Sequence, residues 1–260
     1  MTGALGAFVH VTPVQASRSV ALNGSVRTPR TSSSTWTAIV PVRSLTQGKS
    51  RLTGKPQGSA DLIEAFAIDV LRACSGCQQI ERTVVVSPDP AVHELARRQG
   101  CDVFIEPKAS GINEAIAAAR DAYASTSPVI AILGDAPCLS PEVLTAVLAQ
   151  AADHDVSFVA DAAGTGSTMW CSQITDAAPH FGSHSRAHHR ASGAVELGPS
   201  PDARSPHLPP DVLTWARARR DVDTEVDLWD ALRLGAGTAT TSAATTVVAS
   251  PPRDSDEGHP

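Results

Sequence analysis

Short apolar segments alternate with longer amphipathic segments between residues 36 and 160. The apolar segments are rich in Val and Ile and have the length of buried parallel strands; they lie at 37–42, 83–87, 103–105, 129–133 and 156–160. The segments between them place apolar residues at helical spacing, at 60–73, 92–96, 112–123 and 141–152. This alternation predicts one Rossmann-like α/β domain with a mostly parallel central sheet.

The two ends of the chain do not continue this pattern. Residues 1–35 are rich in Ser, Thr, Val and Gly without sustained periodicity, and residues 236–260 are rich in Thr, Ala and Pro. We therefore expect disordered extensions at 1–35 and 236–260 around one domain at 36–235. Within the domain, order is expected to loosen after Asp161, until a last helix begins near Asp221 and runs to Leu234.

Composition and charge exclude several classes of function. The 260 residues, 42% of them apolar and 18% charged, suffice for one well-buried α/β domain. A net charge of −6 gives no electrostatic footprint for nucleic acid. No apolar run approaches the roughly 18–20 residues of a membrane span, and the N-terminus has no signal-peptide pattern. We expect a cytoplasmic protein with reduced cysteines and with neither a nucleic-acid nor a membrane partner.

A basic loop follows the first predicted strand, at the sheet edge where open parallel sheets bind their ligands. The loop contains Arg43, Lys49 and Arg51, and its Gly-Lys-Ser sequence at 48–50 resembles the end of a phosphate-binding P-loop. The first glycine of that motif would stand at position 43, where the chain has arginine, so a P-loop is not indicated. The loop is either a solvated basic segment or a site for a nucleotide triphosphate.

Aspartates stand in two further segments that are predicted to lie at this edge. Asp135 follows the fourth predicted strand, and Asp221 and Asp223 point the same way if their segment is extended. Two carboxylates on one face repel unless a cation lies between them, and Mg²⁺ prefers such oxygen ligands. The alternatives are an Asx turn at Asp135 and a helix cap at Asp223 or Thr224.

Glycine and hydroxyl residues fill the segments 164–167 and 181–185. Glycines allow close backbone approach to a ligand, and hydroxyls with backbone N–H groups bind anions without net positive charge. An ordinary flexible loop is the alternative. The nearby histidines at 180, 184, 188 and 189 have no fixed ligand spacing, and Cys74 and Cys77 have no second pair, so zinc is not predicted at either place.

Taken together and in this order, these residues resemble the phosphoenolpyruvate and 2-phospho-L-lactate guanylyltransferases of coenzyme F(420) biosynthesis. The matching stretches lie at 40–42, 49–52, 113–116, 134–137, 157–161, 164–167, 181–185, 192–197 and 221–224. The stretch at 192–197 is most similar to the enzymes that use phosphoenolpyruvate. The resemblance implies the GT-A-like fold of nucleotide-diphospho-sugar transferases, which agrees with the predicted sheet.

The resemblance also implies a role for each matching residue. It implies that Asp135, Asp221 and Asp223 bind Mg²⁺, with Asp135 also catalytic. It implies that Ser167, Gly182 and Ser185 bind the phosphorylated acid that accepts the nucleotide. For GTP it implies that Lys49, also catalytic, and Arg51 lie along the phosphates and that Asn113 contacts the nucleoside. The expected partners are GTP, a small phosphorylated carboxylic acid, and the transferase that consumes the product.

Two departures from the family pattern and three rival functions accompany the resemblance. His188 stands where the family commonly has an arginine, so that anion contact is either weakened or supplied by Arg186 or Arg190. Arg43 replaces a common lysine and keeps the charge but not the geometry. The rivals are a nucleotidyltransferase of the same fold acting on 3-phosphoglycerate, one acting on a molybdopterin, and a non-catalytic nucleotide-binding homologue. The intact aspartates disfavour the last of these.

Overall fold

The computed structural model describes residues 35–45, 56–106, 111–199 and 211–249. The predicted nucleotide-binding residues Lys49 and Arg51 lie outside the described residues, as do residues 1–34 and 250–260. None of the described helices is long and apolar enough to cross a membrane.

A seven-stranded sheet forms the centre of the domain, in the order β3-β2-β1-β4-β6-β5-β7. The strands are β1 Trp36–Pro41, β2 Ile80–Ser87, β3 Asp102–Ile105, β4 Val129–Ile132, β5 Val156–Ala160, β6 Ser167–Ser172 and β7 Val195–Glu196. All neighbouring strands pair in parallel except β6, which is antiparallel to both β4 and β5. The prediction of a mostly parallel sheet is therefore confirmed, and so are the predicted strands.

The antiparallel strand β6 was not predicted, because order was expected to loosen after Asp161. Every residue of Ser167–Ser172 is buried, since β6 lies between two strands and under helices on both faces. A strand buried on both faces shows no alternation of apolar and polar residues, and its Ser and Thr residues made the segment look like a loop. The expectation of irregular structure is wrong for these residues.

Helices cover both faces of the sheet, as expected of a doubly wound domain. They are α1 Pro56–Gly76, α2 Pro90–Arg98, α3 Ile112–Tyr123, α4 Pro141–Ala151, α5 Ser185–Ala191, α6 Val212–Arg219, α7 Glu225–Leu234 and α8 Thr238–Ala249. One apolar cluster joins α1, α2, α4 and α6 to one face, and a second joins α3 to the other face through Trp170 and Phe181. Ser140 caps α4 as predicted by accepting a hydrogen bond from Val143 N.

Helix α8 lies in a segment that was expected to be disordered. The carboxylate of Asp69 on α1 accepts hydrogen bonds from the backbone N–H groups of Ala239 (3.1 Å) and Thr240 (2.8 Å). Gly237 permits this close approach, because a Cβ there would lie 2.2 Å from the Asp69 carboxyl carbon. The cap is supplied by a residue distant in sequence, so local composition could not reveal it, and the expectation is wrong for 238–249.

Candidate active site

The carboxyl ends of β4 and β5 and the start of β6 meet at one edge of the sheet. Asp135 follows β4, Asp161 follows β5, and Ser167 begins β6. The segment with Asp221 and Asp223 joins them, because Val222 donates a backbone hydrogen bond to the carbonyl of Asp135 (3.0 Å). Residues from three separate parts of the chain thus meet at the edge where open α/β sheets bind their ligands.

Gly134 allows the loop that carries Asp135 to approach the end of β1. A Cβ at this position would lie 3.0 Å from a methyl group of Val42 and 3.2 Å from the carbonyl oxygen of Pro41. Any larger residue would push the loop away from the first strand. The close approach keeps the loop that carries Asp135 beside the end of β1.

The aspartates at this edge influence one another electrostatically. The pKa of Asp221 is raised to about 7, first by burial and then by the negative charges of Asp135, Asp161 and Asp223. A cation among these carboxylates would remove that repulsion and favour the ionised form. Within the described ranges, no three His, Cys, Asp or Glu side chains already form a group that could hold a metal ion. The carboxylates fit a divalent cation that takes its remaining ligands from phosphate oxygens or water.

Helix α7 does not need Asp221 or Asp223 as its cap. Thr224 occupies the N-cap position and accepts a hydrogen bond from Asp227 N, while the Asp227 carboxylate accepts one from Thr224 N. This reciprocal capping box satisfies the first turn of the helix. The alternative role considered for Asp223 is therefore filled by its neighbour.

Asp161 organises the loop before β6, and sequence reasoning gave it no role. Its two carboxylate oxygens accept hydrogen bonds from Thr165 N (2.9 Å) and Gly166 N (2.8 Å). A Cβ on Gly166 would lie 2.4 Å from Asp161 Oδ2 and 3.7 Å from Ser185 Oγ, so both side chains flank this glycine. Asp161 thereby connects the acidic residues with the hydroxyl residues of the site.

Ser167, Ser185 and His189 form a buried hydrogen-bonded group. The Oγ atoms of Ser167 and Ser185 are 2.8 Å apart, and Ser167 Oγ is 3.2 Å from His189 Nδ1. The other ring nitrogen of His189 accepts a hydrogen bond from His180 N (2.9 Å). Burial, with smaller effects of His180 and His188, lowers the pKa of His189 to about 4. The imidazole is therefore neutral near pH 7.

Asn113, for which the resemblance implied a nucleoside contact, binds the backbone of Phe181. Its Nδ2 donates to the carbonyl of Phe181 (3.0 Å), and its Oδ1 accepts from Phe181 N (2.8 Å). This two-point contact from α3 fixes the backbone just before Gly182, whose φ of +125° favours glycine. Ser185 N donates in turn to the Gly182 carbonyl (3.1 Å), so Asn113 positions the expected acceptor loop.

Arg186 and Arg190 pair with a carboxylate of the protein itself. Arg186 Nε and Arg190 Nη2 lie 2.9 Å and 2.7 Å from the same oxygen of Glu196. Arg186 also donates to the carbonyl of Gly164 (2.9 Å) and is buried. These contacts tie α5 to β7 and to the glycine loop. These contacts do not indicate that Arg186 or Arg190 takes the place of the family arginine in binding an anion. His188, which stands at the position of that arginine, is exposed.

The structure brings together most of the site residues expected from the sequence. Asp135, Asp221 and Asp223 form the acidic part, and Ser167, Gly182 and Ser185 form the hydroxyl and glycine part. The sequence reasoning gave no role to Asp161 or His189. Asp161 ends a stretch that carries the resemblance, at 157–161, whereas His189 was considered only among the histidines at which zinc is not predicted.

Comparisons with known proteins show the family to which the chain belongs. The sequence profile of the MobA-like NTP transferase domain matches residues 48–195. The chain is 36% identical over 211 residues to a phosphoenolpyruvate guanylyltransferase of Mycobacterium leprae (strain Br4923), covering 78% of this chain and 91% of the relative. It is 37% identical over 215 residues to one of Streptomyces coelicolor, covering 80% and 95%. A solved nucleotidyl transferase from Methanothermobacter has a TM-score of 0.49 and 14% identity, over 76% of this chain and 98% of that one.

The matched domain and these relatives define a nucleotidyltransferase. Enzymes of this class join a nucleoside monophosphate to an acceptor and release pyrophosphate. At this identity and coverage, the chain belongs to the phosphoenolpyruvate guanylyltransferase family.

Proposed function

We propose that this protein transfers GMP from GTP to phosphoenolpyruvate or to 2-phospho-L-lactate, in coenzyme F(420) biosynthesis. With phosphoenolpyruvate the products are enolpyruvyl-diphospho-guanosine and pyrophosphate. The observation that carries the proposal is the pairing of an acidic group (Asp135, Asp221 and Asp223) with the Ser167–Ser185 hydroxyl pair at one sheet edge. We place the reaction in the cytoplasm, in keeping with five cysteines that are all free thiols.

The acidic group would hold Mg²⁺, which when bound neutralises charge on the reacting phosphates. Asp221 suits this role because burial and then the charges of its neighbours raise its pKa to about 7, and a nearby cation would favour its ionised form. The backbone hydrogen bond from Val222 N to the carbonyl of Asp135 holds Asp135 against the 221–223 segment. It thereby fixes the spacing between Asp135 and Asp221. The protein's contribution is to preorganise charge before the substrates arrive.

The hydroxyl and glycine part would bind the acceptor. Ser167 and Ser185 are almost fully buried, at 4% and 2% exposure, so water competes little for their hydroxyl groups. Gly182 has no side chain to block a ligand, and nothing lies within 4 Å of where its Cβ would stand. Lys49 and Arg51 would lie along the phosphates of GTP and stabilise the departing pyrophosphate, whereas Asn113 acts through the position of Gly182.

The reaction needs positioning more than acid–base chemistry. An oxygen of the acceptor's phosphate attacks the α-phosphorus of GTP, the bond from that phosphorus to the bridging oxygen of pyrophosphate breaks, and pyrophosphate leaves. The attacking oxygen is already an anion near pH 7, so no proton must be removed from it. The barrier is the approach of two anions, and holding both in line lowers it.

The decisive experiment is incubation with GTP, Mg²⁺ and a panel of acids, with pyrophosphate release as the readout. The panel contains phosphoenolpyruvate, 2-phospho-L-lactate and 3-phosphoglycerate, and ATP and CTP replace GTP in parallel reactions. We expect release with GTP and one of the first two acids. Release only with 3-phosphoglycerate, or only with CTP, would assign a different transfer to this site. No release with any pair would refute the proposal.

A further inference from the structure

His189 lies directly behind the two hydroxyl groups that are proposed to bind the acceptor. It is fully buried, and its ring packs against Phe158 at a centroid distance of 5.1 Å and edge-on against Phe181 at 5.5 Å. These contacts hold the ring plane in one orientation. The two ring nitrogens consequently face fixed partners, His180 N on one side and Ser167 Oγ on the other.

The partners determine which nitrogen carries the proton. His180 N is a backbone donor, so His189 Nε2 must accept and is not protonated. In the neutral ring the proton is then on Nδ1, which donates to Ser167 Oγ. Near pH 7 the neutral form is the one present, since burial lowers the pKa of His189 to about 4.

This tautomer sets the direction of the hydrogen bonds in the serine pair. Ser167 Oγ receives the Nδ1 proton, so its own proton is not used on the histidine. One hydroxyl proton forms the bond between Ser167 and Ser185, which are 2.8 Å apart. The second hydroxyl proton is therefore left to donate to a ligand. With the opposite tautomer, Nδ1 would accept the Ser167 proton, and the pair would keep none for an anion.

We propose that His189 is a positioning residue that, as its Nδ1–H tautomer, keeps one hydroxyl donor of the Ser167–Ser185 pair available to the anionic acceptor. This inference rests on the proposed function, because it assumes that the acceptor contacts these serines. A neutral donor suits this place, since the Asp161 carboxylate flanks Gly166 together with Ser185. A buried cation here would instead form an ion pair with that carboxylate.

Three substitutions separate the functions of the ring. His189→Asn keeps an amide donor near the position of Nδ1, His189→Gln keeps an acceptor near the position of Nε2, and His189→Phe keeps only the ring shape. We expect the KM for the acceptor to rise about tenfold or more in the Gln and Phe variants and clearly less in the Asn variant. The dissociation constant for GTP with Mg²⁺ should stay unchanged in all three.

His154→Gln is the matched control, because His154 precedes β5 at the opposite edge of the sheet and should leave both constants unchanged. The wild-type ring nitrogens should show a protonated Nδ1 by nitrogen NMR, a readout independent of activity. A protonated Nε2, an Asn variant as impaired as the Gln variant, or GTP binding that weakens in parallel with the acceptor would overturn the inference. Absence of acceptor-dependent pyrophosphate release by the wild-type enzyme would refute the proposed function instead, and the NMR measurement would still test the tautomer.

Discussion

Replacing Asp221 by Asn should make the metal-free protein more stable and the enzyme much slower. The pKa of Asp221 is raised from 3.8 to about 7 by burial and by three neighbouring carboxylates. Between these two pH values the unfolded chain releases the proton while the folded chain keeps it, so stability falls as pH rises. The destabilisation that comes from ionising Asp221 in the folded protein is absent below pH 3.8 and fully present above about pH 7.

The size of the effect follows from the same values. A pKa of 3.8 in the unfolded chain and of about 7 in the folded chain corresponds to a loss of at most about 4 kcal/mol in the free energy of unfolding. Asp221 is half-buried, so solvent screening reduces this, and we expect Asp221→Asn to gain about 1–2 kcal/mol at pH 8 without divalent metal. For a domain of this size that is a rise of roughly 2–8 °C in Tm. The gain should shrink towards pH 4 and vanish well below pH 3.8, where the wild-type carboxyl is protonated in both states.

The same variant should lose a factor on the order of 10² or more in kcat, because one negative charge is removed from the proposed metal site. Thermal unfolding from pH 4 to pH 8 and pyrophosphate release are measured on the same preparations, with and without Mg²⁺ and GTP. Asp153→Asn, an exposed aspartate after α4, is the matched control and should change neither quantity. A lower Tm at pH 8 together with normal turnover would show that Asp221 is a structural residue and would refute the reasoning.

Three further predictions address other parts of the chain. Ser185→Ala should raise the KM for the acceptor about tenfold to hundredfold and leave the Kd for GTP unchanged; a weaker GTP complex with an unchanged acceptor KM would reverse our assignment of the two halves. Asp69→Ala should remove the cap of α8 and lower the free energy of unfolding by about 0.5–2 kcal/mol in denaturant titrations, with kcat retained; unchanged stability would mean that the two hydrogen bonds to the N-terminus of α8 contribute nothing. A chain beginning at Ser34 should keep its kcat/KM and Tm, because residues 1–33 have no periodicity and no motif; a large fall in either would contradict this.

The parts of the fold that sequence predicts here depend on local patterns. The strands before Asp135 and Asp161 are mainly apolar, and the position of a residue just after such a strand is enough to place it at the ligand-binding edge. Strand β6 could not be predicted from local patterns. Its direction depends on the strands with which it pairs, and because it is buried on both faces it shows no alternation of apolar and polar residues. Helix α8 could not be predicted in this way either, because its cap comes from Asp69, a residue of α1.

The same distinction explains which site residues were anticipated. Ser167 and Ser185 have hydroxyl groups whose chemistry is evident from their identity. The roles of Asp161, Asn113 and His189 come from backbone groups that they bind, at Thr165 and Gly166, at Phe181 and at His180. No property of these three residues in isolation specifies such partners. Residues that position others are therefore harder to predict than residues that contact ligands.

The charges of the acidic residues affect how readily the Ser167–Ser185 pair can bind an anion. Asp161 adds negative charge near Asp221 and also flanks Gly166 beside Ser185, so an anionic acceptor approaching these serines meets a negative field. Two neutral hydroxyl groups can offset only part of that repulsion, since a hydrogen bond to a charged group contributes about 1.5–3 kcal/mol. A divalent cation held by Asp135 and Asp221 would offset part of that negative field. We therefore expect the phosphorylated acid to bind more tightly when a divalent cation occupies the proposed acidic site, and the cation to bind more tightly when the acid is present.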